Sequence, residues 1–262
     1  MTSISAGIAS ALTNGEPRVK AMEVRALVRA WRKGALDWTW ETPMPDRPAV
    51  PAGLRLLPPA QMPPRRKAGS AATRIALWHS VAHIEYVAID LALDAAGRFG
   101  EAQGPEFVGD FLAVATDEAM HWALIARKLH TLGSHYGALS AHDGLWQAAE
   151  DTNGDVAARL AVVPMVLEAR GLDVTPAMRD RVRASGDEGG ARILQRILDD
   201  EVGHVAAGAK HLDSVARARG QTYENYWKTL VQRYFRGRLK PPFNDSARQA
   251  AGLPRSIYHA LA

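Results

Sequence analysis

The sequence contains no cysteine. That absence removes disulfides, thiolate zinc sites, Cys-ligated iron–sulfur clusters and a Cys nucleophile. Any bound metal must then be held by nitrogen and oxygen, which suits iron or manganese. The same absence fits a reducing, cytoplasmic setting. Long apolar runs are also missing. A membrane span needs roughly 18 uninterrupted apolar residues, and the most apolar region, Ile75 to Leu93, carries His79, His83, Glu85 and Asp90. Met1 to Gly15 lacks the basic start and apolar stretch of a secretory signal, so none is expected. Neither sign of charge dominates: the formal balance of +4 is mildly basic and short of the profile of an obligate nucleic-acid binder. What remains is an ordinary globular composition, 262 residues with 47% apolar and 23% charged, enough to bury a substantial core.

The periodicities are helical throughout and no strand pattern stands out, so an all-α fold is expected. Pro17 to Lys33 reads as an amphipathic helix stopped by Gly34. A Pro-rich arm follows, Pro43 to Pro64, whose prolines forbid a regular helix or central strand. Its interleaved leucines and Val50 predict that it wraps the surface in extended form; a flexible linker is the competing reading. From Ser70, the residues Ile75, Trp78, Ala82, Glu85, Ile89 and Ala92 recur at three- and four-residue steps, one face of a helix. Gly104-Pro105 opens the second helix, with Phe107, Phe111, Val114, Glu118, His121 and Ile125 inward. Ser134 to Asn153 is a long crossover with a short helix near Leu145. A third helix, Asp155 to Arg170, is expected to kink at Pro164, and Thr175-Pro176 to cap a separate short helix reaching Ala184. A fourth long helix runs from Gly189 to Arg219, followed by a helix over Tyr223 to Arg236 and a short one near His259. The parts are therefore 1–69, an N-terminal helix and wrapping arm; 70–220, a four-helix bundle with the long crossover between helices 2 and 3; and 221–262, a C-terminal helical extension.

Two Glu-x-x-His motifs carry the chemistry. The first is Glu118-Ala-Met-His121, the second Glu201-Val-Gly-His204, and each has a lone glutamate, Glu85 or Glu168, 33 residues before the glutamate of the motif. Residues three apart project to the same side of a helix. Each motif can thus offer one oxygen and one nitrogen to a metal, with Glu85 and Glu168 as terminal or bridging ligands. Four carboxylates and two imidazoles on four helices are the ligand set of ferritin-like carboxylate bundles. Buried without a cation, four carboxylates would repel and some would take up protons. The equal spacing also suggests a duplicated helix–loop–helix unit. The expected cofactor is two iron ions, with manganese or a mixed manganese/iron pair as variants.

Asp117 and Asp200, each just before a motif glutamate, are candidates to orient the ligand histidines; the bland alternative is solvated surface acids. His79, His83, Tyr86 and Asp90 form a second polar stripe. It reads either as a network beside the metals or as a polar contact with the N-terminal arm. His130, His135 and His142 flank the crossover and could line an entrance, while His211 reads as structural. Lys228, Arg233, Arg236, Arg238 and Lys240, interleaved with Tyr226, Trp227, Tyr234 and Phe235, read either as an RNA-gripping surface or as the charged face of a docked helix.

Several of these segments resemble the DUF455 family: His79-Ser-Val-Ala-His-Ile-Glu85 with Ala88-Ile-Asp-Leu-Ala-Leu-Asp94, Asp117-Glu-Ala-Met-His121, Tyr136-Gly with His142-Asp-Gly-Leu-Trp146, Pro164-Met-Val-Leu-Glu-Ala-Arg-Gly171, Asp200-Glu-Val-Gly-His204, and the Pro241-Pro-Phe-Asn244 tail. The resemblance covers residues 45 to 255. It implies a ferritin-like bundle with a dinuclear centre at Glu85, Glu118, His121, Glu168, Glu201 and His204, and implies no substrate. More distantly the chain is similar to the MiaE group of tRNA hydroxylases. The expected activity is an O2-activating oxidoreductase of hydroxylase or monooxygenase type. Its expected partners are O2, an electron donor and a small-molecule or nucleoside substrate, with a tRNA base as one form of it. A monomer or small homo-oligomer without membrane association is expected. The competing classes are a non-enzymatic iron-binding or ferroxidase protein and a metal-stabilised structural protein.

Overall fold

The computed structural model describes residues 2–58, 61–62 and 70–262. The arm's prolines at 59, 63 and 64 lie outside the described residues. The fold is all-α, as the periodicities predict, and it divides into two compact units, Met1–Gln147 and Ala148–Ala262. Among the described residues the strands are two-residue fragments only: Thr2–Ser3 pairs in parallel with Leu36–Asp37, and Leu56–Leu57 with Ala141–His142. Glu85, Glu118 and His121 belong to the first unit, and Glu168, Glu201 and His204 to the second.

In the first unit, helix α1 (Ile4–Thr13) was not legible in the sequence. Ser3 caps it by accepting from the Ala6 N–H, and Ile4, Ile8 and Leu12 are buried. Helix α2 (Pro17–Arg32) starts with Pro at its first position and the Glu16 carboxylate on the Val19 N–H. The two helices approach so closely at Gly7 that a Cβ there would lie 2.6 Å from Leu27 Cδ1. Helix α3 (Ala71–Gln103) is capped by Ser70. A single residue, Gly104 at φ +91°, separates it from α4 (Pro105–Thr131), so the two long helices form a hairpin. The arm docks within this unit. Ala49 donates its N–H to the Leu12 carbonyl at 2.9 Å, and Arg98 donates to the Pro45 carbonyl at 3.0 Å. Leu54 is buried, and Leu56–Leu57 makes the ladder with the crossover.

Helix α5 (Gly144–Asp151) straddles the boundary between the units. The second unit contains α6 (Val156–Val162), α7 (Ala169–Ala184), α8 (Glu188–Ala218), α9 (Tyr223–Tyr234), α10 (Asp245–Ala250) and α11 (Arg255–Tyr258). One sequence expectation is sharpened here and another needs correction. Pro164 produces a six-residue π-helical segment, Val163–Glu168, joining α6 to α7. The π turn absorbs the missing N–H by widening the helix. Thr175-Pro176 does not cap a separate helix: α7 runs straight through Pro176. An internal proline removes the donor for the carbonyl four residues back, here Leu172. That carbonyl instead accepts the side-chain amide of Asn244 at 3.1 Å. The tail that supplies Asn244 is fixed by Arg248, whose Nε and Nη2 donate to Asp173 at 2.8 and 2.7 Å while its guanidinium stacks between Phe243 and Tyr258. Asp173 also accepts the Asn244 N–H at 2.9 Å. A donor borrowed from 72 residues downstream is invisible to local pattern reading, which is why the helix break was expected.

Candidate metal centre

In the first unit Glu85 stands on α3 and faces Glu118 and His121 on α4. All three are buried, at 4%, 0% and 0% exposure. His121 Nδ1 lies 3.1 Å from Glu85 Oε2 and 3.2 Å from Glu118 Oε2, and one donor atom from each residue falls within 4.8 Å of the others. Each side chain interrupts an apolar stripe, Ile89 and Ala92 on α3 and Phe111, Val114 and Ile125 on α4, all buried. Burial works against a charged imidazole at His121. The hydrogen bonds and charges of Glu118 and Glu85 outweigh it and raise the pKa to about 11. Two carboxylates in an apolar wall call for positive charge beside them, and the protonated ring contributes it when no metal is bound. A carboxylate pair and an imidazole converging this way fit a hard or borderline divalent cation.

In the second unit Glu201 and His204 share one face of α8, with Glu201 Oε2 3.7 Å from His204 Nδ1 and exposures of 7% and 3%. Glu168 is the last residue of the π segment and is half-buried. Gly171, three residues on and so on the same face, would place a Cβ 3.8 Å from Glu201 Cδ. That face of the connection therefore looks toward Glu201. Gly208 allows the close approach behind it, since a Cβ there would meet Pro164 at 2.4 Å. A π turn that ends on a candidate ligand is a recurrent feature of functional helices.

The flanking residues divide by environment. Asp200 accepts from Arg196 Nε at 2.6 Å, one turn earlier on the partly exposed side of α8. Asp117 is half-buried on α4. The polar stripe of α3 bonds chiefly to the crossover segment. His79 Nε2 accepts the N–H groups of Gly137 and Leu139 at 3.0 and 3.3 Å, and burial followed by the nearby His83 and His135 lowers its pKa to about 4. His83 Nε2 meets the His142 carbonyl at 2.9 Å and its Nδ1 meets the Tyr136 hydroxyl at 2.9 Å; burial lowers its pKa as well. A ring nitrogen facing a carbonyl must donate, so Nε2 carries the proton and Nδ1 accepts from Tyr136. Tyr86 is buried at 2%, with its ring 5.2 Å from that of Tyr136 and 6.2 Å from that of Trp122.

Sequence reasoning missed Lys20. It is wholly buried on α2, with Nζ 2.5 Å from Asp90 Oδ1 and 4.8 Å from the centre of the Tyr86 ring. Its signal was present: Val24, Leu27 and Val28 follow at +4, +7 and +8, the spacing of an inward face. In the C-terminal basic run Trp227, Leu230 and Val231 are buried, Arg233 stacks on Tyr234 at 5.2 Å, and Arg236 pairs with Asp151 at 2.9 Å.

Comparison with known proteins gives a consistent placement. The family model described as "Protein of unknown function (DUF455)" matches residues 13–259. A protein of Haemophilus influenzae described as "Uncharacterized protein" is 39% identical over 225 residues, covering 82% of this chain and 77% of that one. No solved structure matches. Among the described residues, no helix is long and apolar enough to cross a membrane.

Proposed function

The chain belongs to the DUF455 family, and on that premise we propose that it is a non-haem dinuclear metal carboxylate protein of ferritin-like type, an oxidoreductase that uses O2 on an organic substrate. The observation that carries this reading is the buried convergence of Glu85, Glu118 and His121, repeated in sequence spacing by Glu168, Glu201 and His204. Four carboxylates balance two divalent cations, and each Glu-x-x-His pair anchors one. Bound iron or manganese would supply redox chemistry and a Lewis acid for O2. The chain's own contribution is different. The helices fix the donor atoms on unyielding elements, the apolar stripes keep bulk water away, and the π turn sets the position of Glu168. The substrate is a small organic molecule or a nucleoside, a tRNA base being one form of it.

Elemental analysis with Mössbauer spectroscopy of the purified protein tests the reading. About two irons per chain with antiferromagnetic coupling are expected. Glu118→Ala and His204→Ala should each lose metal, and full occupancy in both would defeat the ligand assignment. An optical change when anaerobic ferrous protein meets O2 is expected; its absence would leave a structural role for the metal. A tRNA substrate predicts a missing modification in a deletion strain.

A further inference from the structure

Three redox-active rings in the first unit touch one another, and two of them sit next in the chain to metal-ligand residues. Trp122 follows His121 and Tyr86 follows Glu85 in the chain. Their rings lie 6.2 Å apart, and both reach Tyr136, at 6.3 Å from Trp122 and 5.2 Å from Tyr86. Trp122 and Tyr86 are buried, while Tyr136 is half-buried. Tyr136 is thus the most exposed of the three, and with Tyr86 and His83 it lines a pocket whose wall includes arm residues Pro48 to Pro51.

The three rings differ in what becomes of their proton. A phenol or indole that loses an electron becomes a strong acid, and in a buried site its radical is stable only if the proton has somewhere to go. The Trp122 Nε1–H and the Tyr86 hydroxyl have no hydrogen-bond partner among the described residues. Tyr86 also has the Lys20 ammonium 4.8 Å from its ring centre, which opposes positive charge there. Tyr136 alone donates to an acceptor, His83 Nδ1 at 2.9 Å, and the His142 carbonyl holds the ring of His83 in the accepting tautomer.

We propose that Trp122, Tyr86 and Tyr136 form a one-electron relay between the metal-ligand cluster and the surface, and that Tyr136 is where the oxidising equivalent comes to rest. This rests on the metal-centre reading above. The oxidant is a metal pair in its oxidised state. It takes one electron through Trp122 and Tyr86 from Tyr136; the phenolic O–H bond breaks and its proton goes to His83 Nδ1. The products are a metal pair reduced by one electron, a neutral tyrosyl radical and a His83 imidazolium. A one-electron donor in solution then reduces the radical, and the proton returns. Electrons enter by this route, which also spares the ligands when no substrate is bound.

The relay is tested first on the metal-free protein, with a photogenerated ruthenium(III) polypyridyl oxidant and electron paramagnetic resonance as the readout. A tyrosyl signal with a coupling to an exchangeable hydrogen-bonded proton is expected, lost in Tyr136→Phe and kept in Tyr223→Phe. A signal that survives in Tyr136→Phe overturns the assignment. The second arm exposes ferrous-loaded protein to air without reductant. The same radical should form, and its yield should fall in Trp122→Phe and in Tyr86→Phe, with circular dichroism checking that each variant folds. Iron that binds and oxidises without a radical on Tyr136 overturns the relay and leaves the proposed function standing. Failure to bind iron overturns the proposed function and the relay with it, while the photo-oxidation arm still decides whether Tyr136 is the resting site.

Discussion

Replacing Lys20 by Met should destabilise the first unit by about 3–5 kcal/mol at pH 8, the usual loss when one partner of a buried ion pair is removed. The side chains of Lys20 and Asp90 are 0% and 3% exposed with 2.5 Å between Nζ and Oδ1, so water cannot take over the role of the lost ammonium. The variant also forfeits the cation over the Tyr86 ring, worth roughly 0.5–2 kcal/mol in such settings. Acid should soften the loss. Burial raises the Asp90 pKa, which the attraction of Lys20 only partly reverses, to about 6. A carboxyl whose native pKa lies above its unfolded value of roughly 4 binds its proton more tightly when folded. In the wild type its contribution to stability is therefore full below about pH 4, falls as pH rises toward 6, and is flat above. Without Lys20 the pKa rises further, so at pH 5 Asp90 is neutral and the loss is smaller than at pH 8. The double variant Lys20→Met/Asp90→Leu should recover most of the stability, because an apolar pair of similar volume often replaces a buried ion pair at little or no cost.

Urea unfolding followed by tryptophan fluorescence suits the measurement, since every tryptophan except Trp227 lies in the first unit. A single-variant loss under about 1 kcal/mol, the range of an exposed pair, would refute the reasoning. So would an equal loss at pH 5 and pH 8, or a double variant no better than the single one.

Other perturbations probe the second unit. Asn244→Asp keeps a side chain that can cap α10 but removes the amide donor from the Leu172 carbonyl, and should cost about 1–3 kcal/mol; in a Pro176→Ala background, where residue 176 supplies its own N–H, thermal unfolding should show a clearly smaller cost. Arg248→Met removes the buried cation of Asp173, leaving it the half-exposed Arg170 and the Asn244 N–H, and should cost about 3–5 kcal/mol, with faster proteolysis of the tail after residue 236 as an independent readout. Gly208→Ala forces a Cβ to 2.4 Å from Pro164 and should cost about 1–3 kcal/mol by overpacking, accompanied by weaker metal retention because the π segment carrying Glu168 must shift.

The two long helices of the first unit were legible because their signals are local. Ser70 and Gly104-Pro105 are caps that act within one turn, and the three/four-residue spacing needs no knowledge of partners. Glu85, Glu118 and His121 were legible for a related reason: an acid in the middle of an apolar stripe is conspicuous in one dimension. What failed depended on remote partners. The break expected at Thr175-Pro176 was sound local reasoning, overturned by one amide contributed from the tail. Helix α1 was missed because its Ala/Gly/Ser-rich sequence has weak amphipathic contrast, and the close approaches at Gly7 and at Gly97 of α3 show what it packs on. Tyr136 lies in a connection with no periodicity, so its ring contacts with Tyr86 and Trp122 could not be read from spacing.

Polar groups enter the interior of this protein under one recurring constraint, and it bears on how metal would enter. Lys20 faces Asp90, and Arg248 faces Asp173, which Arg170 also approaches at 3.4 Å, so each of these carboxylates has a cation against it. The cluster of Glu85, Glu118 and His121 brings two carboxylates onto one imidazole and raises its pKa. A divalent cation bound there would offset both carboxylates. Binding there must release the His121 proton, because an imidazolium cannot ligate. Metal affinity should accordingly rise with pH, while the two structural pairs remain intact. Calorimetric titration of ferrous or manganous ion in buffers of different ionisation enthalpy would reveal that proton release, and an enthalpy independent of buffer would remove His121 from the ligand set.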